Sequence, residues 1–153
     1  MMKTASDVIQ ALQGKRLATA ESMTGGGIGA ALTAVPGASK VFCGGIISYT
    51  NEVKQHVLGV PGDVLQRSGA VSRETAMHMA SGARKVLKAD VAVSVTGLAG
   101  PDGDEYGNPV GTVFIGYADE KGVTAGEYHF CGDRDAVRDQ TIQSALELIL
   151  QNV

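Results

Sequence analysis

With 153 residues and little net charge, the chain fits one ordinary folded domain. Hydrophobic residues make up 44% of it, and the net charge of −3 comes without a run of basic residues. A groove for polymeric nucleic acid needs clustered Lys and Arg, so no nucleic-acid partner is expected. The chain also lacks an apolar stretch of roughly 18 residues for a membrane span, and its N-terminus lacks the apolar core of a signal peptide. We therefore predict a single cytoplasmic domain over residues 1–153, without a membrane partner.

The predicted elements alternate between helical and extended patterns, with no internal repeat and no linker. A first helix begins at Thr4 or Ser6 and ends near Gly14, and a last helix begins after Asp133. Between them lie, in chain order, a strand over 17–20, a Gly-rich turn over 22–29 that opens a helix to about 34, a strand over 41–49, helices over 51–58 and 73–87 (the latter capped by Ser72), a strand over 90–96, a loop over 97–109, and a hairpin with strands over 111–118 and 123–130.

This order of elements predicts the fold class. It indicates an α/β fold, a three-layer α/β/α single domain with a mixed sheet of about five strands and helices on both faces. The hairpin should make one edge of the sheet antiparallel. The strand over 41–49 is apolar on both faces apart from Ser48, which is typical of a buried strand. Cys43 and Cys131 lie far apart and form no CxxC motif, so we predict buried, reduced thiols.

The first candidate site is the turn between the strand over 17–20 and the helix that follows it. Free N–H groups and the helix dipole at such a turn favour an anion or an oxyanion, and Ser22 lies where a nucleophile would lie. The pattern does not match a nucleophile elbow, because Ala20 and Thr24 occupy its glycine positions. The common alternative is that Ser22 or Thr24 only caps the helix.

Two further strand ends carry polar or small residues. Tyr49 ends the strand over 41–49 and Lys54 lies one helical turn further on, so both can face one crevice, where a desolvated Lys can act as a base. The alternative is a solvated Lys and a Tyr at a sheet edge. Small residues over 94–101 allow close approach of a phosphate or a sugar, whereas Asp102 and the acidic residues after it suit a solvated loop. The three histidines are scattered, and we predict no metal site.

Taken together, these motifs resemble those of the CinA C-terminal domain family, whose stand-alone members are nicotinamide-nucleotide amidases. They lie in order along nearly the whole chain. The matching stretches are Thr19-Ala20-Glu21-Ser22 with Thr24-Gly25-Gly26; Tyr49-x-Asn51-x-x-Lys54 with Leu58-Gly59-Val60; Gly69-Ala70-Val71-Ser72; Thr96-Gly97-Leu98-Ala99-Gly100-Pro101-Asp102-Gly103; Pro109-Val110-Gly111-Thr112-Val113; and Gly132-Asp133-Arg134 with Arg138.

The resemblance implies an α/β/α fold and the deamidation of nicotinamide mononucleotide to nicotinate mononucleotide and ammonia, without a metal or a cofactor. It implies a catalytic group of Ser22, Tyr49 and Lys54, with the serine as nucleophile. The expected partner is a small-molecule nucleotide substrate, and we expect a homo-oligomer, with a dimer favoured. The residues expected to bind the substrate are Glu21, Thr24, Gly25, Gly26, Asn51, Thr96, Gly97, Ala99, Gly100, Arg134 and Arg138.

The sequence departs from the family pattern at two positions. Met23 stands where a Cys is common, so this position is not the nucleophile, and Asn108 stands where a Lys usually precedes Pro-Val-Gly. Arg134 and Arg138 lie one helical turn apart, as in a phosphate clamp or, alternatively, in surface ion pairs with neighbouring aspartates. Two other functions stay open, namely a nucleotide-binding regulatory module without turnover and an amidase of a different small amide.

Overall fold

The computed structural model describes residues 3–153, which form six α-helices and five strands. Four of the helices begin with a side-chain cap, and the predicted caps Ser72 and Asp133 are confirmed. Within the described residues no helix is long and apolar enough to span a bilayer.

In chain order the elements are α1 (Ala5–Ala11), β1 (Leu17–Glu21), α2 (Gly27–Thr33), a 3-10 turn (Ala38–Lys40), β2 (Phe42–Ile47), α3 (Asn51–His56), α4 (Gly62–Ser68), α5 (Arg73–Val86), β3 (Val91–Gly97), β4 (Thr112–Asp119), β5 (Gly122–His129) and α6 (Arg134–Asn152).

The strands form one mixed sheet in the order β2-β1-β3-β4-β5. β1 is parallel to both of its neighbours, whereas β4 is antiparallel to β3 and to β5. The predicted α/β fold, with a five-stranded mixed sheet and an antiparallel edge, is therefore confirmed. Because β2, β1 and β3 are parallel, three connecting segments leave the sheet at one edge, which is where open α/β sheets bind ligands.

Helices cover both faces of the sheet because alternate residues of the inner strands point to opposite sides. Leu17 and Val93 pack in the larger core cluster, which contains residues of α1, α2 and α6. Ala18 and Ala92 pack on the other side, against residues of α5. Small residues let α5 lie close to this face, and a Cβ added at Gly116 of β4 would meet a backbone carbonyl of α5. The strand that leads to Ser22 is therefore fully buried and held from both sides.

The prediction of a buried second strand is wrong. β2 forms an edge of the sheet, and each of its residues is half-buried or exposed, with Ile47 56% exposed. The apolar composition of β2 suggested more burial than the structure shows, for two reasons. Gly44 and Gly45 have no side chains to bury, and the outer edge of β2 pairs with no strand within residues 3–153.

Sequence reasoning also missed α4. The sequence pattern ends the preceding helix at Gly59 with Pro61-Gly62 beyond it, whereas in the structure Pro61 is the N-cap residue of α4. A proline is well tolerated at a helix start, because the first N–H groups of a helix have no partner within it. A dipeptide that suggests a helix break therefore marks the start of α4.

The prediction of two buried thiols is wrong as well. Cys43 is half-buried on the edge strand, where its Sγ donates to the Leu17 carbonyl over 3.3 Å. Cys131 is exposed in the short segment between β5 and α6. The exposure of each cysteine depends on its position in the fold, which the spacing of the two residues in the sequence does not show.

Candidate active site

A cleft of about 300 Å³ opens where β1, β2 and β3 end. This volume lies at the lower end of the range that is typical of small-molecule sites. The cleft brings the predicted catalytic residues together with the loop after β3 and with the start of α6. Its lining consists of Ser22, Met23, Tyr49, Lys54, Ala70, Val71, residues 96–100, Asp102 and Arg134.

Ser22 and Lys54 form a buried pair in this cleft. Lys54 Nζ lies 3.2 Å from Ser22 Oγ, although the two residues are 32 positions apart in the chain. Ser22 is 7% exposed and Lys54 is 1% exposed, so the alternative of a solvated lysine is wrong. The alternative that Ser22 or Thr24 caps the helix is also wrong, because the N-cap residue of α2 is Gly26, and the first N–H groups of the helix donate to Glu21 instead.

The surroundings of Lys54 make its neutral amine easier to form than that of an ordinary lysine. Burial lowers the pKa of Lys54 to about 8. Besides contacting Ser22, Nζ donates to the carbonyls of Ser48, at 2.8 Å, and Tyr49, at 3.2 Å. A neutral amine has two hydrogens and one lone pair, so the two carbonyls can take the hydrogens while the lone pair faces the serine hydroxyl. This arrangement suits a base that takes a proton from Ser22.

Tyr49 contributes its backbone, not its hydroxyl, to this pair. Its carbonyl accepts from Lys54, whereas the residue as a whole is 63% exposed beside the cleft. Among residues 3–153 the Tyr49 hydroxyl has no hydrogen bond to Lys54 or to Ser22. Asn51 begins α3, is exposed and lines a separate surface depression, so the structure does not bring it into the cleft.

The turn after β1 is held by the carboxylate of Glu21. This group accepts hydrogen bonds from Thr24 Oγ1 at 2.6 Å, from the Ile28 N–H at 2.8 Å and from the Gly29 N–H at 3.0 Å. Glu21 is 2% exposed and Thr24 is fully buried, and neither lines the cleft. The anion at the start of α2 is therefore the protein's own carboxylate, and the side chains of Glu21 and Thr24 lie away from the position expected for substrate.

Three backbone N–H groups in this turn keep their hydrogen-bonding capacity. The Gly25 N–H donates to the Ser22 carbonyl and closes the turn. The N–H groups of Met23, Thr24 and Gly26 have no protein acceptor within residues 3–153. Gly25 and Gly26 have φ values of +61° and +100°, a conformation that favours glycine and reverses the chain directly after Ser22.

The loop after β3 supplies another wall of the cleft. Thr96 is buried and its hydroxyl donates to the Ala70 carbonyl over 2.7 Å, so this side chain joins two walls. Residues 97–100 continue the lining, and Arg134 Nη1 donates to the Gly100 carbonyl over 2.6 Å. That bond holds the Arg134 guanidinium at the cleft.

The two arginines that were predicted to form a clamp have different contacts. Arg138 donates to the carbonyls of Met23, at 3.1 Å, and Thr24, at 3.2 Å, and it does not line the cleft. In the described part of the chain neither arginine has a carboxylate within 4.0 Å, so the alternative of surface ion pairs is wrong. Arg138 holds the Ser22 turn, and Arg134 can meet a ligand.

Asn108, which departs from the family pattern, stabilises its own loop. Its side-chain amide donates to the Asp104 carboxylate over 2.8 Å and to the Val71 carbonyl over 3.1 Å. The residue is half-buried and lies outside the cleft lining. In this chain the position therefore ties the loop to the segment before α5.

Sequence reasoning missed several parts of this site. Ala70 and Val71 line the cleft, and their place in a matching stretch just before a helix cap could have indicated it. Asp102 also lines the cleft, although its acidic surroundings suggested a solvated loop. The Ser48 carbonyl, which holds Lys54, could not have been found, because a backbone acceptor leaves no trace in the residue type.

The chain is similar to known proteins in both sequence and structure. The family model described as CinA C-terminal domain matches residues 1–153. The chain belongs to this family. A CinA-like protein from Geobacter metallireducens is 48% identical over 134 residues, and one from Thermotoga maritima is 46% identical over 133 residues. These matches cover 88% and 87% of this CinA domain but only 32% of each relative, so the chain spans about a third of the length of these relatives.

Solved structures extend the comparison to the fold. A CinA superfamily protein from Escherichia coli has a TM-score of 0.92 and 35% identity, covering 98% of this chain and 91% of that one. The competence/damage inducible protein CihA from Agrobacterium tumefaciens has a TM-score of 0.92 and 40% identity, covering 96% and 92%. The family predicted from the motifs and the predicted fold class are therefore both confirmed.

Proposed function

We propose that this CinA domain hydrolyses the carboxamide of nicotinamide mononucleotide to nicotinate mononucleotide and ammonia. The observation that carries the proposal is the 3.2 Å contact between the Ser22 hydroxyl and the Lys54 amine, both buried in a cleft of small-molecule size. A serine hydroxyl is a weak nucleophile until a base takes its proton. The lowered pKa of Lys54 makes such a base available near neutral pH.

In the proposed reaction Ser22 Oγ bonds to the amide carbon while Lys54 Nζ takes the hydroxyl proton. The tetrahedral intermediate then collapses, the C–N bond breaks, and the amine leaves as ammonia with the proton from Lys54. Lys54 Nζ then takes a proton from a water molecule, whose oxygen attacks the acyl carbon. The bond between that carbon and Ser22 Oγ breaks, Lys54 returns the proton to Oγ, and the carboxylic acid is released. One water is consumed and one ammonia is released in each cycle.

The developing oxyanion needs donors beside Ser22. The unpaired N–H groups of Met23, Thr24 and Gly26 are the candidates, since the Gly25 N–H already closes the turn. Backbone donors that are fixed before the reaction stabilise such a charge without reorganisation. Arg138 keeps them fixed through the carbonyls of Met23 and Thr24.

The rest of the nucleotide has matching partners in the cleft. Arg134 offers a planar guanidinium to the phosphate, and residues 97–100 give the ribose a wall of small residues. The cationic pyridinium ring withdraws electrons from its carboxamide, which makes that amide more reactive than an ordinary one. These features favour nicotinamide mononucleotide over an uncharged amide.

The test is to incubate the purified protein with nicotinamide mononucleotide and to measure both ammonia and nicotinate mononucleotide. We expect the two products in equal amounts, with none from the Ser22→Ala variant. Binding of the nucleotide without ammonia release would favour a regulatory binding module. Ammonia from another small amide, but not from this nucleotide, would keep the serine mechanism and replace the substrate.

A further inference from the structure

We propose that Glu21 is a positioning residue for the nucleophile: its buried carboxylate holds the turn that keeps Ser22 Oγ within reach of Lys54. The inference rests on the proposed hydrolase function, because it assigns Glu21 a part in that reaction without contact with the substrate. It differs from the expectation that Glu21 binds substrate, since the carboxylate does not line the cleft.

The backbone places Glu21 and Ser22 at the end of a fixed strand. The Ser48 N–H donates to the Glu21 carbonyl over 2.8 Å, and the Ser22 N–H donates to the Val95 carbonyl over 3.1 Å. The two residues are therefore held by the neighbouring strand segments on both sides. From this point the Glu21 side chain runs towards α2, whereas Ser22 lines the cleft.

The carboxylate is the link between this strand end and α2. It reaches across the turn to the N–H groups of Ile28 and Gly29, seven and eight residues further on, and it also accepts from Thr24 inside the turn. A serine or aspartate at the helix start could cap the same N–H groups at lower desolvation cost. Such a cap would not, however, connect the helix to the residue before the nucleophile.

Burying this charge is costly, because Glu21 has no basic side chain within 4.0 Å among the described residues. Three donors compensate it in part, and all three belong to the segment that carries the nucleophile. A carboxylate buried at such a cost is consistent with a need to fix the conformation of this turn. A misplacement of about 1 Å between reacting groups can reduce a rate about 100-fold.

The test compares Glu21→Gln with Thr141→Val, a matched loss of a buried hydrogen bond. Thr141 is fully buried in α6 and its hydroxyl donates to the Val137 carbonyl over 2.7 Å, away from the cleft. For each variant, the readouts are the thermal midpoint, kcat, KM and the rate at which a fluorophosphonate labels Ser22. Glutamine keeps the size of the side chain but presents an NH2 group to N–H donors, so it cannot satisfy all three.

We expect Glu21→Gln to lower kcat and the labelling rate about 100-fold, with KM changed by less than about threefold. Thr141→Val should lower the thermal midpoint while leaving the labelling rate and kcat unchanged. Should Glu21→Gln not fold, Thr24→Val removes one of the three donors without changing size, and it should lower the labelling rate in the same direction. A folded variant at either position with normal labelling would overturn the proposal.

Labelling also separates this inference from the proposed substrate, because it needs no amide. If the unsubstituted protein is labelled at Ser22 but releases no ammonia from nicotinamide mononucleotide, the substrate is wrong and the positioning role is still decided by the variants. If the unsubstituted protein is not labelled, there is no activated nucleophile to position, and both proposals fail.

Discussion

Two of the segments that build the cleft are fixed in different ways, although they follow the neighbouring parallel strands β1 and β3. The turn after β1 is fixed from inside, by the carboxylate of Glu21, which is 2% exposed. The loop from β3 to β4 is fixed nearer the surface. Tyr106, 42% exposed, donates to a backbone carbonyl of α4 over 2.7 Å, and Arg134 binds the Gly100 carbonyl.

This difference matches what each segment would have to do in the proposed reaction. A nucleophile and its base need fixed geometry, which buried hydrogen bonds provide. A loop that admits and releases a nucleotide has to open, and segments held by exposed hydrogen bonds open at lower free energy. We therefore expect substitutions in the turn to act mainly on kcat and substitutions in the loop to act mainly on KM.

The largest effect is expected at the Ser22–Lys54 pair. Ser22→Ala and Lys54→Met should each lower kcat by about 10⁴-fold or more, because neither group works without the other. The double variant should be little worse than Ser22→Ala alone, while nucleotide binding persists in all three. Steady-state kinetics and equilibrium binding check both points. Near-normal turnover by Ser22→Ala would leave water as the attacking group.

The next effect is the dependence of the rate on pH. Because the pKa of Lys54 is about 8 and only its neutral form can accept the proton, kcat/KM should rise about tenfold per pH unit below 8 and level off above it. The matched variant is Lys54→Arg, which keeps a positive charge that cannot be removed and should be inactive at every pH. A rate that falls as pH rises from 6 to 8 would contradict a lysine base.

The fold was largely predictable from local patterns, whereas the pairing of Ser22 with Lys54 was indicated by the family resemblance, and the structure shows the two side chains in contact. Apolar runs marked every strand, and polar residues after two of them made Ser22 and Lys54 candidates. The edge position of β2 was not predictable, since it depends on which side of β1 the chain crosses to after each helix. No local sequence pattern indicates on which side of β1 the chain crosses.

The role of Glu21 was hidden for a related reason. A glutamate at this position suggests a charged group that faces a ligand. Its proposed role instead depends on N–H groups seven and eight residues further along the chain, which lie close to it only because the chain turns after Ser22. The separation of Arg134 from Arg138 was hidden in the same way. One helical turn puts both at the start of α6, but only contacts show that one holds the turn and the other faces the cleft.

These two arginines give a direct test of the comparison between turn and loop. Arg134→Ala should raise KM for nicotinamide mononucleotide about 10- to 100-fold, by loss of a charge-assisted hydrogen bond, and should leave KM for the dephosphorylated riboside nearly unchanged. Arg138→Ala should instead lower kcat with a smaller change in KM, because it frees the carbonyls of the Ser22 turn. Equal effects of Arg134→Ala on both substrates would remove its phosphate role.

The smallest effect is expected for Tyr49→Phe, although the family resemblance places Tyr49 in the catalytic group. The substitution removes only the hydroxyl, and the part of Tyr49 that contacts Lys54 is its backbone carbonyl, which phenylalanine keeps. The ring stands at the mouth of the cleft, so its loss would matter more than the loss of its hydroxyl. We expect kcat within about twofold of the original for Tyr49→Phe, and a larger rise in KM for Tyr49→Ala, because a removed ring loses apolar contact with the nucleotide. A drop in kcat of about 100-fold for Tyr49→Phe would mean that the hydroxyl turns inward when substrate binds and carries the proton between Ser22 and Lys54.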